Sequence, residues 1–322
     1  MVETRMNTLK NMTLTQGVVL ALLCLFAVAP VLTEALDQSF FLSLATRVVI
    51  LSIAAVSLNL ILGYGGMVSF GHAAFIGIGA YAVGIPAYYE VYNGFYQIAI
   101  AIGVAALFAL ITGAISLRTK GVYFIMITMA FGQMAFYALV SIEEYGGDDG
   151  LVIETRSEFP NLLSIENNVV LYYVCFVFLL ATIYLVHRII NSRFGMVVRG
   201  CKSNERRMQA VGYNTYLYKL TCYVIAGAIC GFSGALLGNF TSFISPEMMD
   251  WTRSGELMFM IILGGTGSLF GPFIGTIFYL MIEEVLSDIT IYWQLIFGAL
   301  LILLVLFAPG GISGLLKKWE AK

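Results

Sequence analysis

The sequence predicts an all-α protein, a polytopic transmembrane helical bundle of eight to ten membrane elements that includes short broken or re-entrant helices. Three observations predict it. Hydrophobic residues make up 60% of the chain and charged residues 11%, whereas a soluble domain carries about 25% charged residues. Apolar runs recur along the whole length, and most approach the roughly 20 residues that cross a bilayer. Basic and acidic residues separate into different loops.

Taken in order, residues 1–16 form a short N-terminal segment with Arg5 and Lys10. Apolar runs follow at 17–33, 43–62, 67–89, 95–117, 121–141, 168–187, 219–243, 255–265, 270–286 and 291–308, within one transmembrane domain over 17–310. The first run is longer than a usual signal-peptide core, and its small-residue site at 27–29 is followed by Pro30, so it reads as a retained span. The run at 255–265 is short and ends in "GGTGS". It reads as a broken or re-entrant helix, which is tolerated where protein or a cavity covers its backbone. Residues 311–322 form a tail.

Charge sets the orientation. The segment 188–219 holds Arg188, Arg193, Arg199, Lys202, Arg206, Arg207 and Lys219 against one acid, Glu205, and reads as cytoplasmic. The segment 142–168 holds Glu143, Glu144, Asp148, Asp149, Glu154, Glu158 and Glu166 against Arg156, and reads as an outer loop. Arg118 and Lys120 place the following hinge inside. Alternation over ten elements puts both termini in the cytoplasm.

Glycine spacing divides into two kinds. Gly227, Gly231, Gly234 and Gly238 recur along one helix face, as do Ala73, Gly77, Ala80 and Gly84, and Gly267, Gly271 and Gly275. Lipid gives no hydrophobic drive for helix association, so such small faces let backbones pack closely. In "GYGG", Gly63, Gly65 and Gly66 fit no face and interrupt a helix, since each glycine costs about 1 kcal/mol against alanine. "ILGYGGMVSFG" at 61–71 and "ILGGTGSLFG" at 262–271 align with one residue skipped. Paired interrupted segments point to a translocation path in transporters, with chance likeness of Gly-rich apolar strings as the alternative. Gly71 and Gly79 fit either role.

Two ionisable candidates remain open. His72 reads as a structural residue bonded to a neighbouring carbonyl, or as a pathway residue. Glu256 reads as a functional intramembrane acid, or as an interfacial partner of Arg253 three residues before it. The turn "GGDDG" at 146–150 suits an external loop. The five cysteines contain no CxxC, and His72 and His187 offer no metal-ligand spacing. There is no GxxxxGK[ST] loop, so the chain is not its own ATPase by that route, and nothing points to nucleic acid or to catalytic residues. The basic stretch 192–214 reads as a short helix that docks on a partner, or as a solvated positive loop.

The segments "LNLILGYGGMVSFGHAAFIGIGAYAVGI", "GVYFIMITMAFGQMAFYALVS", "YGGDDGL", "SRFGMVVRGCKSNERRMQAVGYNTYLYKL", "FISPE", "SGELMFMIILGGTGSLFGPFIG" and "VLFAPGGISGL" resemble, in order and over about 45–316, the LivM-type permease subunits of branched-chain amino-acid ABC transporters. The resemblance implies a non-enzymatic subunit in a bacterial inner membrane. Its partners would be a LivH-type permease subunit, two ATPase subunits that bind ATP and Mg, and a periplasmic binding protein. It also implies import of branched-chain or related amino acids by alternating access. Relatives carrying urea or short amides leave that alternative open. An ion-coupled secondary transporter is more distant, because the runs 95–117, 121–141 and 291–308 carry no acidic or basic residue. The stretch 204–214 is similar to the family's "NExxAxxxGI", which assigns ATPase coupling to Arg199, Asn204, Glu205, Arg206, Arg207, Ala210 and Gly212; Arg207, Met208 and Tyr213 depart from the common pattern. Substrate contacts are expected from the breaks at Gly63, Gly65 and Gly66 and at Gly264, Gly265 and Gly267, with Asn59, Tyr64, Ser69, His72 and Glu256.

Overall fold

The computed structural model describes residues 14–35, 39–159, 165–308 and 310–320. The expectations for residues 1–13 and 321–322 lie outside the described residues. The elements are α1 (Leu14–Ala35), α2 (Ser39–Asn59), α3 (Ala73–Tyr88), α4 (Gly94–Ser116), α5 (Val122–Val140), α6 (Asn168–Ile190), α7 (Arg193–Ala210), α8 (Thr215–Thr241), α9 (Trp251–Gly264), α10 (Gly271–Ile289), α11 (Trp293–Phe307) and α12 (Gly311–Glu320). Two short strands, β1 (Leu151–Val152) and β2 (Phe243–Ile244), pair antiparallel. Among the described residues, seven helices are long and apolar enough to cross a membrane, and α3 is a shorter apolar helix. The predicted polytopic bundle is therefore the observed fold.

Helix starts follow the capping residues that the sequence places there. Asn93, Asn167, Ser192, Asn214 and Asp250 each accept a first-turn backbone N–H, opening α4, α6, α7, α8 and α9. In α1, Pro30 has no N–H to give the carbonyl of Phe26 one turn earlier. The hydroxyl of Tyr172 on α6 donates to that carbonyl at 2.5 Å.

Helix α8 is central, because its small residues let two neighbours approach at once. A Cβ on Gly227 or Gly231 would meet Ala109 or Ala105 of α4, and one on Gly234 would strike the carbonyl of Ile76 on α3. Gly238 faces Ala80. The closest backbone approach on α3 belongs to Gly79, against the Gly231 carbonyl. Gly77 instead faces Met249, and Gly84 faces Leu151 and Ile244. The face containing Ala73, Gly77, Ala80 and Gly84 thus divides its contacts between α8 and the segment 243–250. Gly71 abuts the Thr128 carbonyl of α5. On the hairpin of α9 and α10, a Cβ on Gly275 would strike the Met260 carbonyl, and one on Gly264 the Gly271 carbonyl.

The run 255–265 is the short helix α9, ended by the "GGTGS" turn that leads into α10. A second irregular stretch precedes α9, where β2 and a 3-10 turn, Pro246–Met249, lead to the Asp250 cap. Pro246 fits the first turn of that short element because it has no N–H to satisfy. The acidic loop is anchored from Ser157. Its N–H and hydroxyl both donate to Asn239 of α8, at 2.9 and 2.8 Å, and the hydroxyl also bonds Gln97 of α4.

Candidate functional site

The two glycine-marked breaks, separated by about 200 residues, touch each other. Helix α2 ends in a π turn, Leu60–Tyr64, and an irregular stretch leads to α3. Asn59 joins this end to the α9–α10 turn: its Nδ2 donates to the Ser268 carbonyl at 2.9 Å and its Oδ1 accepts from the Gly267 N–H at 3.1 Å. A Cβ on Gly63 would meet the Gly267 nitrogen at 2.7 Å, so the first break needs glycine for this approach, while Gly267 needs it for its φ of +75°. Helix α12 closes the turn from the other side, where Ser313 Oγ donates to the Gly264 carbonyl at 2.6 Å.

This junction sits directly under the basic helix. Lys202 Nζ of α7 donates to the Gly63 carbonyl at 2.6 Å, and Gly66, at φ +70°, passes beside the Lys202 stem. Gly65 packs against Met67 and its own preceding turn, and Tyr64 is partly buried at the end of the π turn. The π turn leaves carbonyls without their ordinary intrahelical partners, and the lysine takes one of them. Lys202 was not among the expected coupling residues; only its place in the basic run signalled it.

Helix α7 is two helical pieces joined at Asn204, which has extended backbone (φ −158°, ψ 99°). Its Oδ1 accepts the Arg207 N–H at 3.0 Å, so Asn204 caps the second piece. That piece ends at Gly212, whose φ is +98°. The Gly212 N–H bonds the Gln209 carbonyl and the Tyr213 N–H bonds the Met208 carbonyl, the paired closure that requires a left-handed residue. Asn204 and Gly212 thus delimit one short projecting turn. Arg206, Arg207 and Ala210 are exposed on it, beside exposed Val211 and Tyr213. Arg199 points back and caps the Ile190 carbonyl of α6 at 3.2 Å.

Glu205 fastens this turn to the bundle. It pairs with Lys219 of α8 at 2.8 Å and with Lys120 of the α4–α5 hinge at 2.7 Å, and accepts from Thr215. Burial pushes its carboxyl up, but the two lysines outweigh that and hold it at about 2. A depressed carboxylate gives stability that is complete above its unfolded pKa and disappears as pH falls toward the folded one. Glu205→Gln is therefore expected to lower the melting temperature at pH 7. The cost should be about 1.5–3 kcal/mol for charge-assisted bonds. The gap from wild type should narrow between pH 4.5 and pH 2; a gap that is constant over that window contradicts the assignment.

Nearer the other face, α3 and α9 meet at their N-termini. The Ala73 N–H donates to Ser254 Oγ at 2.9 Å. His72 is fully buried, and its Nε2 lies 2.9 Å from Ser57 Oγ, which donates to the Ala54 carbonyl. The expected carbonyl partner of the imidazole is thus a hydroxyl on α2, while the His72 carbonyl itself lies 3.6 Å from Cys230 Sγ. Ser69 is also fully buried. Glu256 lies on α9 and pairs with Arg253 at 3.1 Å.

A bundle of this kind, with seven helices able to cross a membrane and broken helices tied to a basic helix, is that of a multi-pass membrane protein. The family model described as "Branched-chain amino acid transport system / permease component" matches residues 40–306. The chain belongs to that family. It is 25% identical over 292 residues to the high-affinity branched-chain amino acid transport system permease protein LivM of Escherichia coli, covering 84% of this chain and 69% of the relative. A probable LivM of Methanocaldococcus jannaschii is 26% identical over 320 residues, covering 81% and 89%. The LivH permease of E. coli is 34% identical over 149 residues, covering 45% and 46%. No solved structure matches the chain.

Proposed function

We propose that this chain is one of two membrane-spanning subunits of an ABC importer for branched-chain or related amino acids, driven by separate ATPase subunits. The observation that carries this reading is the bond from Lys202 of α7 to the Gly63 carbonyl. A push on the exposed turn of α7 passes the bend at Asn204 to the piece that holds Lys202, whose side chain reaches the paired breaks. By the charge bias of the loops, α7 and both termini face the cytoplasm of a bacterial inner membrane, and the acidic loop faces a periplasmic binding protein. The relatives named LivM and LivH support pairing with a second, LivH-type permease. ATP and Mg are held by the ATPase subunits, and substrate passes the breaks as the two permeases alternate their access.

The test is uptake into proteoliposomes containing both permeases and the ATPase. ATP-dependent uptake of leucine with its binding protein is expected, and should vanish when the ATPase is omitted. Lys202→Met should reduce uptake at least tenfold while the ATPase still co-purifies. Uptake driven by a proton or sodium gradient alone overturns the reading.

A further inference from the structure

A cavity of about 990 Å³ lies between α4 and α6, with α8 as its floor. Helix α4 packs along α8 and helix α6 along α2, so the two leave a gap between them. The lining is almost wholly apolar. Its one amide, Asn239, is already engaged by Ser157 and by the Ala235 carbonyl. All three helices are long and apolar enough to cross a membrane, so the gap opens onto hydrocarbon. Its α6 wall runs from Val170 to Leu185. That is about 22 Å of helix at 1.5 Å per residue, against roughly 15 Å for the hydrocarbon layer of one leaflet.

The acidic-loop end of the cavity is covered. The segment 153–159 crosses from α8 to α4: the Ile153 N–H bonds the Ser242 carbonyl, Ser157 bonds Asn239, and the Gly94 N–H bonds the Glu158 carbonyl. Phe159 lies edge-on to Phe95 with ring centres 5.2 Å apart, and both line the cavity together with Ile165. A helix that spans the bilayer would have to pass this cover. An acyl chain ends beside it, at its own head group.

Arg156 stands where that head group would lie. It is the one base in 142–168. It donates to the carbonyls of Ile165 and Glu166 at 3.2 and 3.0 Å, and to Asn168 Oδ1 at 2.9 Å. All three bonds leave through Nη1. The other edge of the fork, Nε with Nη2, takes no hydrogen bond among the described residues, and the residue is only partly buried. That edge fits two oxygens of a phosphate. Exposed Glu158 and Glu166 sit at the starts of α4 and α6, which favours a head group whose phosphate is balanced by an ammonium. We infer that the α4–α6 cavity binds one zwitterionic phospholipid of the outer leaflet, its acyl chain between the helices and its phosphate on Arg156. The site lies apart from the glycine breaks, so it goes beyond the importer reading and does not depend on it.

Native mass spectrometry of the full chain, delipidated in detergent and titrated with phosphatidylethanolamine, tests it. One lipid should bind per chain and raise the melting temperature, since a ligand of the folded state stabilises it. Phosphatidylglycerol, and diacylglycerol with the same chains, should bind at least tenfold more weakly. Arg156→Gln should weaken phosphatidylethanolamine at least tenfold. Ala181→Trp, which fills the cavity from the exposed side of α6, should abolish the binding while the lipid-free protein melts like wild type. If Arg156→Gln does not fold, the lipid comparison and Ala181→Trp still decide. A phosphatidylethanolamine with a photoactivatable chain should label the α6 and α8 walls of the cavity. Label spread evenly over the outward-facing helices makes the lipid annular and overturns the inference. Equal binding of diacylglycerol or phosphatidylglycerol overturns it too, as does binding unchanged in either variant. Loss of the label when a second permease subunit is added makes the cavity a subunit interface, which also overturns it.

Discussion

Gly79→Leu is expected to abolish recovery of folded protein, and Gly79→Ala to lower its melting temperature sharply. The Cβ of any side chain at this position runs into the Gly231 carbonyl of α8, and the neighbouring crossing at Gly234 meets the Ile76 carbonyl in the same way. Each obstacle is backbone, so no rotamer change relieves it. Overpacking costs about 1–3 kcal/mol and occasionally more, against a total stability of about 5–15 kcal/mol. The alanine variant should lie at the upper end of that range, and the leucine variant should force α3 away from the central helix. Gly103 on α4 is the control, since a Cβ there meets nothing within 4 Å. Gly103→Ala should match or exceed wild type by its helix propensity. Thermal melts followed by size exclusion in detergent read both. Equal melting of wild type and Gly79→Ala would refute the close crossing.

Arg206→Glu combined with Arg207→Glu should remove stimulation of the ATPase by the loaded binding protein, by tenfold or more. The turn itself should survive. Arg207 is held to Asn204 through its backbone N–H, and both arginines are exposed. Acids also suit the first turn of a helix, where the peptide dipole is positive. A loss of stimulation would therefore come from the surface presented to the ATPase. Stimulation unchanged from wild type would remove these residues from the coupling surface.

The membrane architecture was legible because bilayer thickness imposes run lengths on apolar segments. The likeness between 61–71 and 262–271 was legible too, and in the folded chain these stretches touch through Asn59. Apolar composition could not say that α3 starts at Ala73 rather than near 67, because the irregular stretch before it is apolar as well. Nor could it show the second irregular stretch, 243–250, that precedes α9. The sequence suggested Asn59 as a substrate contact, and gave no sign that its amide would bond both the Gly267 N–H and the Ser268 carbonyl of the α9–α10 turn. Partners such as Arg47 with Glu283, or His72 with Ser57, are set by which helices become neighbours, and local spacing carries no trace of that.

The bond from Tyr172 to Phe26 has a consequence for biosynthesis. Pro30 leaves the Phe26 carbonyl bare in α1, and the hydroxyl that satisfies it is 146 residues later in the chain. At roughly 5–20 residues per second, that wait lasts about 7–30 s. During it, α1 needs a substitute donor, from water or from the insertion machinery.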